Sequence, residues 1–217
     1  MPDDDRTAGF LRMIDELHAR YLVGVEGARQ VWLIRHADAY RDLAALAEGP
    51  LDPPLSERGR EQAARLTARL APVPLHAVWS SDLRRAAETA QAVAGAHDLA
   101  VVSDARLREV RTYWDEGREA VPVTPGEYPF PEPEAEVVAR MRAAVADVVA
   151  GLANVEAALP RAAVVTHNGA IAMYLSSLLG LRWGQLRVLP QFTSVSVVAF
   201  KGDQAVVQSI ADATHLA

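Results

Sequence analysis

Apolar positions along this chain follow two alternating patterns. Short consecutive runs at Gln30 to Ile34, Leu75 to Trp79, Ala100 to Val102 and Ala162 to Val165 read as buried strands. Between them apolar residues recur every three or four positions, which predicts helices over Glu57 to Leu70, Leu83 to Ala94, Glu134 to Leu159 and Ala170 to Leu179. Ser56 offers an N-cap to the first of these, Ser80-Ser81-Asp82 a cap to the second, and Asn168-Gly169 opens the last. Phe10, Leu11, Ile14, Leu17, His18 and Tyr21 recur at helical spacing, so an amphipathic helix precedes the first strand and ends at Gly24 and Gly27. Such a helix packs on the domain or on a partner chain. Near the other end, Ser194 to Phe200 and Gln204 to Ile210 flank Lys201-Gly202-Asp203 as a hairpin-like pair.

Strands alternating with helices predict an α/β fold: a single three-layer α/β/α domain with a mostly parallel sheet flanked by helices. The expected organisation is an N-terminal helical extension over 1–28 and the domain over 29–217. A Pro-rich loop at about 112–133 interrupts the rhythm through Pro122, Pro125, Pro129, Pro131 and Pro133. Loops of that length in a domain are commonly functional. Tyr113, Trp114, Tyr128 and Phe130 would suit a lid that selects the leaving group of a substrate, the alternative being a plain surface insertion.

Composition narrows the classes. With 217 residues, 50% hydrophobic and 23% charged, the chain has the make-up of one ordinary globular domain. The absence of cysteine removes disulfides, thiolate nucleophiles and cysteine metal clusters together, and fits a reducing compartment. No stretch of roughly 18 apolar residues is present, and the acidic start Asp3-Asp4-Asp5 is unlike a secretory leader, so the expectation is a cytoplasmic protein without a membrane partner. A net charge of −6 argues against nucleic acid as a partner. It leaves room for a small basic pocket.

Such a pocket is suggested at the strand ends. One strand runs into Arg35-His36, another into Thr166-His167-Asn168-Gly169, and a third into Ser80-Ser81-Asp82 followed by Arg84 and Arg85. In open α/β sheets ligands bind beyond the carboxyl ends of strands, where these junctions converge. Arginines in the first turn of a helix conflict with its partial positive charge, and a bound anion would remove the conflict. Taken singly, each residue has an ordinary explanation: a strand-end histidine usually packs or caps, and Arg84 or Arg85 alone would be solvated. Their joint occurrence at three junctions favours an anion site without naming a reaction. A metal site on His36, Asp38 and His167 is the competing chemistry, and it has few ligand candidates.

The ordered motifs resemble those of the histidine phosphatase superfamily, the phosphoglycerate mutase-like family. Leu33-Ile34-Arg35-His36-Ala37 is similar to its Arg-His-Gly signature with Ala37 for Gly. The segment from Asp52 to Ala63, the run Ser80-Ser81-Asp82-Leu83-Arg84-Arg85-Ala86-Ala87-Glu88-Thr89-Ala90, the acidic position Leu107-Arg108-Glu109 and Val164-Val165-Thr166-His167-Asn168-Gly169 follow in the family's order. The resemblance implies that His36 is a nucleophile carrying a phosphoryl group, that Arg35, Arg85 and His167 line the phosphate pocket, and that Glu109 is the proton donor. Arg84 falls outside the motif position, and Glu109, between Arg108 and Arg111, could instead be a surface ion-pair member. Fixed donors suit the charge spread over a transferring phosphoryl group without a metal or cofactor. The mutase branch continues its first motif with Glu-Ser-x-Trp-Asn, where this chain has Asp38-Ala39-Tyr40-Arg41-Asp42. Val110 stands where that branch places arginine. The resemblance therefore implies a phosphomonoester hydrolase for small phosphorylated metabolites, with Asp38 and Tyr40 as candidate substrate contacts. The alternatives are a catalytically weak phospholigand-binding or regulatory member, a phosphoglycerate mutase, or a protein phosphohistidine phosphatase. The N-terminal helix and last hairpin leave a homodimer open.

Overall fold

The two histidine-bearing strands are neighbours, and the rest of the architecture follows from that. In the computed structural model, which describes residues 3–40, 52–112, 128–185 and 188–217, six strands form one sheet. They are β1 (Arg29–Arg35), β2 (Ala77–Ser80), β3 (Val101–Ser103), β4 (Arg161–Thr166), β5 (Val195–Lys201) and β6 (Gln204–Asp212), in the order β3-β2-β4-β1-β5-β6. The β2–β3, β2–β4 and β1–β4 pairs are parallel, while β5 joins β1 antiparallel and carries β6 on its outer side. The sheet is thus mostly parallel with an antiparallel hairpin at one edge.

Successive residues of β1 bury to opposite faces because side chains alternate along a strand. Val31 and Leu33 pack with Val137, Met141 and Ile171 of α4 (Glu134–Gly151) and α5 (Asn168–Leu178). Ile34 packs with Leu66, Leu70, Ala90 and Val93 of α2 (Glu57–Leu70) and α3 (Arg84–Gly95). Both faces being covered explains why β1 and β4 read as continuous apolar runs. Each fully buried Leu or Ile contributes roughly 1.5–3 kcal/mol of burial free energy. α1 (Asp3–Arg20) stands apart from these layers. Phe10, Leu11, Leu17 and Tyr21 are exposed, so among the described residues this stripe does not pack on the domain, one of the two expected arrangements; what anchors the end of the helix is Leu22, buried with Ala28 and Ala199, and Gln204 donating to the Arg20 carbonyl.

Two further expectations are corrected. α4 ends at Gly151 and does not continue to Leu159. Val155 and Leu159 are apolar for other reasons, Val155 packing on the main core and Leu159 beneath Leu22. Ser80-Ser81-Asp82 is not a side-chain cap, since Leu83 occupies the cap position of α3 without a side-chain bond. The first-turn N–H of Arg84 is satisfied from a distance by Asp52 Oδ1 at 2.7 Å. Among the described residues no helix is long and apolar enough to cross a membrane.

Candidate active site

Register brings the histidines together. Arg35 pairs with Thr166 in the β1–β4 ladder, so the next residues, His36 and His167, leave the sheet side by side, and the His36 N–H donates to the Thr166 carbonyl at 2.9 Å. Their ring centroids are 5.0 Å apart. His36 Nδ1 lies 2.7 Å from the Ala37 carbonyl, an acceptor only, so this nitrogen carries the proton and Nε2 keeps its lone pair. Arg85 Nε donates to that Nε2 at 3.3 Å. Burial is the largest influence on His36 and outweighs the bond to Ala37; with the charges of Arg85 and Arg35 it brings the pKa down to about 3. His167 is wholly buried and is also held well below the usual histidine range, by burial first and then by His36, Arg85, Arg140 and Arg35. Both imidazoles are neutral near pH 7. Neither ring nitrogen of His167 has a hydrogen-bond partner among the described residues.

The segment after β1 is clamped from several sides. Ala37 N–H donates to Thr89 Oγ1, which in turn donates to the Arg85 carbonyl, tying the His36 loop and the arginine helix together. The Ala37 methyl is fully buried beside Leu55 and Ala63, so the departure from Gly is accommodated by packing. Asp38 N–H donates to Gln62 Oε1, and Ser56 donates through both N–H and hydroxyl to Asp38 while capping Gly59 N–H at the start of α2. A Cβ on Gly59 would lie 1.9 Å from the Asp38 carbonyl oxygen, so only glycine permits this approach. The Asp52-to-Ala63 motif is therefore the fastening of the His36 loop. Asp38 takes part in this fastening, and Tyr40, largely exposed, hydrogen-bonds to the Arg60 side chain.

Arg35 and Arg85 are placed differently. Arg85 is mostly buried, 3.9 Å from Asp52, and meets the His36 ring directly. Arg35 Nη1 donates to the Pro190 carbonyl, and its guanidinium stacks 3.9 Å from the centroid of Phe192, whose ring is also 5.7 Å from that of His36. Thr193, next in sequence, is held at φ 58 while its N–H donates to the Arg35 carbonyl. A β-branched residue there costs about 1–3 kcal/mol, which the surrounding contacts offset. A cleft of about 450 Å³ adjoins the site, sharing Arg35 and Phe192 and adding Arg58, Arg65 and Gln191. Arg84 faces solvent and pairs with Glu88, outside the cluster.

Glu109 sits at the start of α5, beside His167. Its Oε1 accepts from Val110 and Ala170 N–H at 3.0 and 3.1 Å, and Oε2 from Gly169 N–H at 3.3 Å. A helix N-terminus favours a carboxylate there. Arg108 pairs with Asp82 and Arg111 with Glu136, so the alternative of Glu109 as their ion-pair partner is not what the structure contains. A Cβ on Gly169 would lie 2.8 Å from Glu109 Oε1 and 2.9 Å from Val110 Cγ1, so the absent side chain makes room for the acid. Among the described residues no group of three His, Asp or Glu is placed to hold a metal, and Asp38 is turned to Ser56.

Sequence reasoning missed several residues around this site. Arg140 of α4 donates to the carbonyls of Arg106, Arg108 and Glu109, and it pairs with Glu132, which is 4% exposed. Phe192 was also missed. None belongs to a strand-end motif; the one available signal was an acid, Glu132, amid prolines. Tyr113 and Trp114 of the expected lid lie outside the described residues. Tyr128 and Phe130 pack edge-on with Trp183, and the Tyr128 hydroxyl donates to the Glu132 carbonyl.

A mostly parallel sheet of this order has the phosphoglycerate mutase-like α/β architecture. Residues 31–213 match the histidine phosphatase superfamily (branch 1), and the chain belongs to that superfamily. It is 30% identical over 211 residues to a probable phosphoglycerate mutase, GpmB, of Proteus mirabilis, covering 86% of this chain and 94% of that one. Among solved structures, a mycobacterial glucosyl-3-phosphoglycerate phosphatase is similar at TM-score 0.69 and 25% identity, covering 86% of this chain and all of the other. YhfR of Bacillus stearothermophilus is similar at TM-score 0.71 and 25% identity, over 87% of this chain and all of that one.

Proposed function

We propose that this chain is a phosphomonoester hydrolase that works through a phosphohistidine on His36, without a metal, on small phosphorylated metabolites. The observation that carries the reading is the Nε2 lone pair of His36, fixed by the Nδ1 bond to Ala37 and flanked by Arg85 and a second neutral histidine. In the first step Nε2 attacks phosphorus, the bond from phosphorus to the alcohol oxygen breaks, and Glu109, entering the step as the carboxylic acid once the phosphate dianion is bound, gives its proton to the departing alkoxide and becomes the carboxylate. In the second, Glu109 takes a proton from water as the water oxygen attacks the phosphohistidine, the P–N bond breaks, and phosphate leaves with His36 restored. Arg85 moves from Nε2 to the phosphoryl oxygens, Arg35 adds charge, and His167, whose nitrogens have no partner among the described residues, donates to the same oxygens. An unsatisfied buried polar group costs about 1–3 kcal/mol, so this partner is well matched to an anion.

Some relatives bear the mutase name. Hydrolysis is favoured over mutase action because Val110, in place of the arginine expected of that branch, is 2% exposed and packed in the core, and it supplies no charge for a second anionic group. The test is hydrolysis of p-nitrophenyl phosphate and of β-glycerophosphate in EDTA, with an acid quench to trap labelled phosphate. Turnover in chelator and an adduct lost in His36→Ala are expected. Turnover that the chelator abolishes, or a burst without an adduct, overturns the proposal.

A further inference from the structure

The side chain of Arg140 belongs to α4, remote in sequence from every motif, yet all five of its N–H donors are used on one short segment and one acid. Nη1 donates to the Arg106 and Arg108 carbonyls at 2.8 and 2.6 Å. Nη2 donates to the Glu109 carbonyl at 3.0 Å and to Glu132 Oε2 at 3.2 Å, and Nε donates to Glu132 Oε1 at 2.8 Å. The remaining carbonyl of the segment, that of Leu107, accepts from Thr166 Oγ1 at 2.7 Å. Every carbonyl from 106 to 109 is thereby fixed from outside the segment. A planar guanidinium can do this where an ammonium cannot, because its donors are held in a rigid fork.

Glu132 completes the arrangement. Besides the two bonds from Arg140, its Oε2 accepts from Arg111 N–H at 2.8 Å, so the residues on both sides of Glu109 are bound to the same pair. Glu132 is almost wholly buried, and the side chain of Arg140 is 19% exposed. Burial alone would raise the Glu132 carboxyl pKa; the hydrogen bonds from Arg140 and Arg111 and the charges of both hold it below the ordinary value, so the pair is ionised. A buried ion pair is a weak source of net stability, since desolvation offsets much of the attraction. This pair therefore calls for another reason to be there, and its contacts supply one.

We infer that Arg140, held by Glu132, is a positioning residue for Glu109: it fixes the backbone that carries the acid so that the carboxyl group meets the leaving group beside His167. This rests on the proposed role of Glu109 as proton donor. A misplacement of about 1 Å in such a group costs about 10²-fold in rate. Loss of the clamp should slow substrates whose leaving oxygen needs a proton and spare those whose leaving group departs unaided.

The experiment compares Arg140→Ala, Arg140→Lys and Glu132→Gln with Glu109→Gln on β-glycerophosphate and p-nitrophenyl phosphate, alongside thermal unfolding of each variant. Arg140→Ala and Arg140→Lys should lose about 10²-fold in kcat on β-glycerophosphate and less than about threefold on p-nitrophenyl phosphate. Lysine should not rescue, although it keeps the charge. Glu132→Gln preserves shape and serves where Arg140→Ala fails to fold; it should show the same substrate split at smaller amplitude. Equal losses on both substrates in the folded Arg140 and Glu132 variants, while Glu109→Gln discriminates between them, overturn the positioning role and leave the acid in place. If Glu109→Gln itself slows both substrates equally, the role of the acid falls and the positioning role falls with it.

Discussion

Replacing Gly169 by alanine isolates the acid from the rest of the fold. The added Cβ would sit 2.8 Å from Glu109 Oε1, about 0.6 Å inside ordinary contact, and 2.9 Å from Val110 Cγ1. The nearest atom is the end of a flexible side chain, so the carboxylate retreats and the backbone does not. A retreat of that size stretches the 3.1 and 3.3 Å bonds from Ala170 and Gly169 N–H past useful range. Stability should change little, because alanine gains up to about 1 kcal/mol over glycine in a helix while overpacking against Val110 costs about 1–3 kcal/mol. Activity should change much more: general acid catalysis is worth about 10²–10⁴-fold, and a displaced acid forfeits about 10–10² of it. The assay is kcat/KM for β-glycerophosphate and for p-nitrophenyl phosphate, with urea unfolding alongside. A folded Gly169→Ala protein with unchanged β-glycerophosphate turnover, or equal losses on both substrates, would refute the placement of the acid at this helix start.

Two more outcomes follow from the same structure. His36 titrates near 3 in the folded chain and near its ordinary 6.5 when unfolded, so the unfolded state binds more protons between those values and stability falls as pH drops through that window. The loss is about 2 kcal/mol for His36 between pH 7.5 and 5, with His167 adding in the same direction; urea midpoints across that range should fall, and His36→Asn should fall less. Identical pH slopes in the two proteins would contradict the burial of a neutral His36. Gly59→Ala meets a backbone oxygen at 1.9 Å that cannot step aside, so α2 must detach from Asp38; near-complete loss of folded protein is expected, and a well-folded variant with native thermal unfolding would be inconsistent with that approach.

The strands, and with them the paired histidines, were legible because burial on both faces leaves uninterrupted apolar runs that stop abruptly at Arg35-His36 and Thr166-His167. The motif residues also carried the alignment of Arg85 over Arg84, which the hydrogen bond to His36 supports. What sequence could not reveal was how distant groups converge. Asp52 serving the first turn of α3, or Arg140 reaching three carbonyls some thirty positions earlier, leaves no periodic trace, since one side chain on a helix face looks like any solvated arginine. Helix length failed at Gly151 for a related reason: Val155 and Leu159 are apolar for contacts with other elements, and periodicity does not say which neighbour a residue serves.

The bond from Arg111 N–H to Glu132 Oε2 joins the two ends of the Pro-rich stretch at its root, while Tyr128 fastens its exit to the core. Lengthening such a closed segment costs little, about 0.6 kcal/mol for each doubling. An insertion between Thr112 and Tyr128 should therefore cost the fold little, which thermal unfolding of variants lengthened there would check.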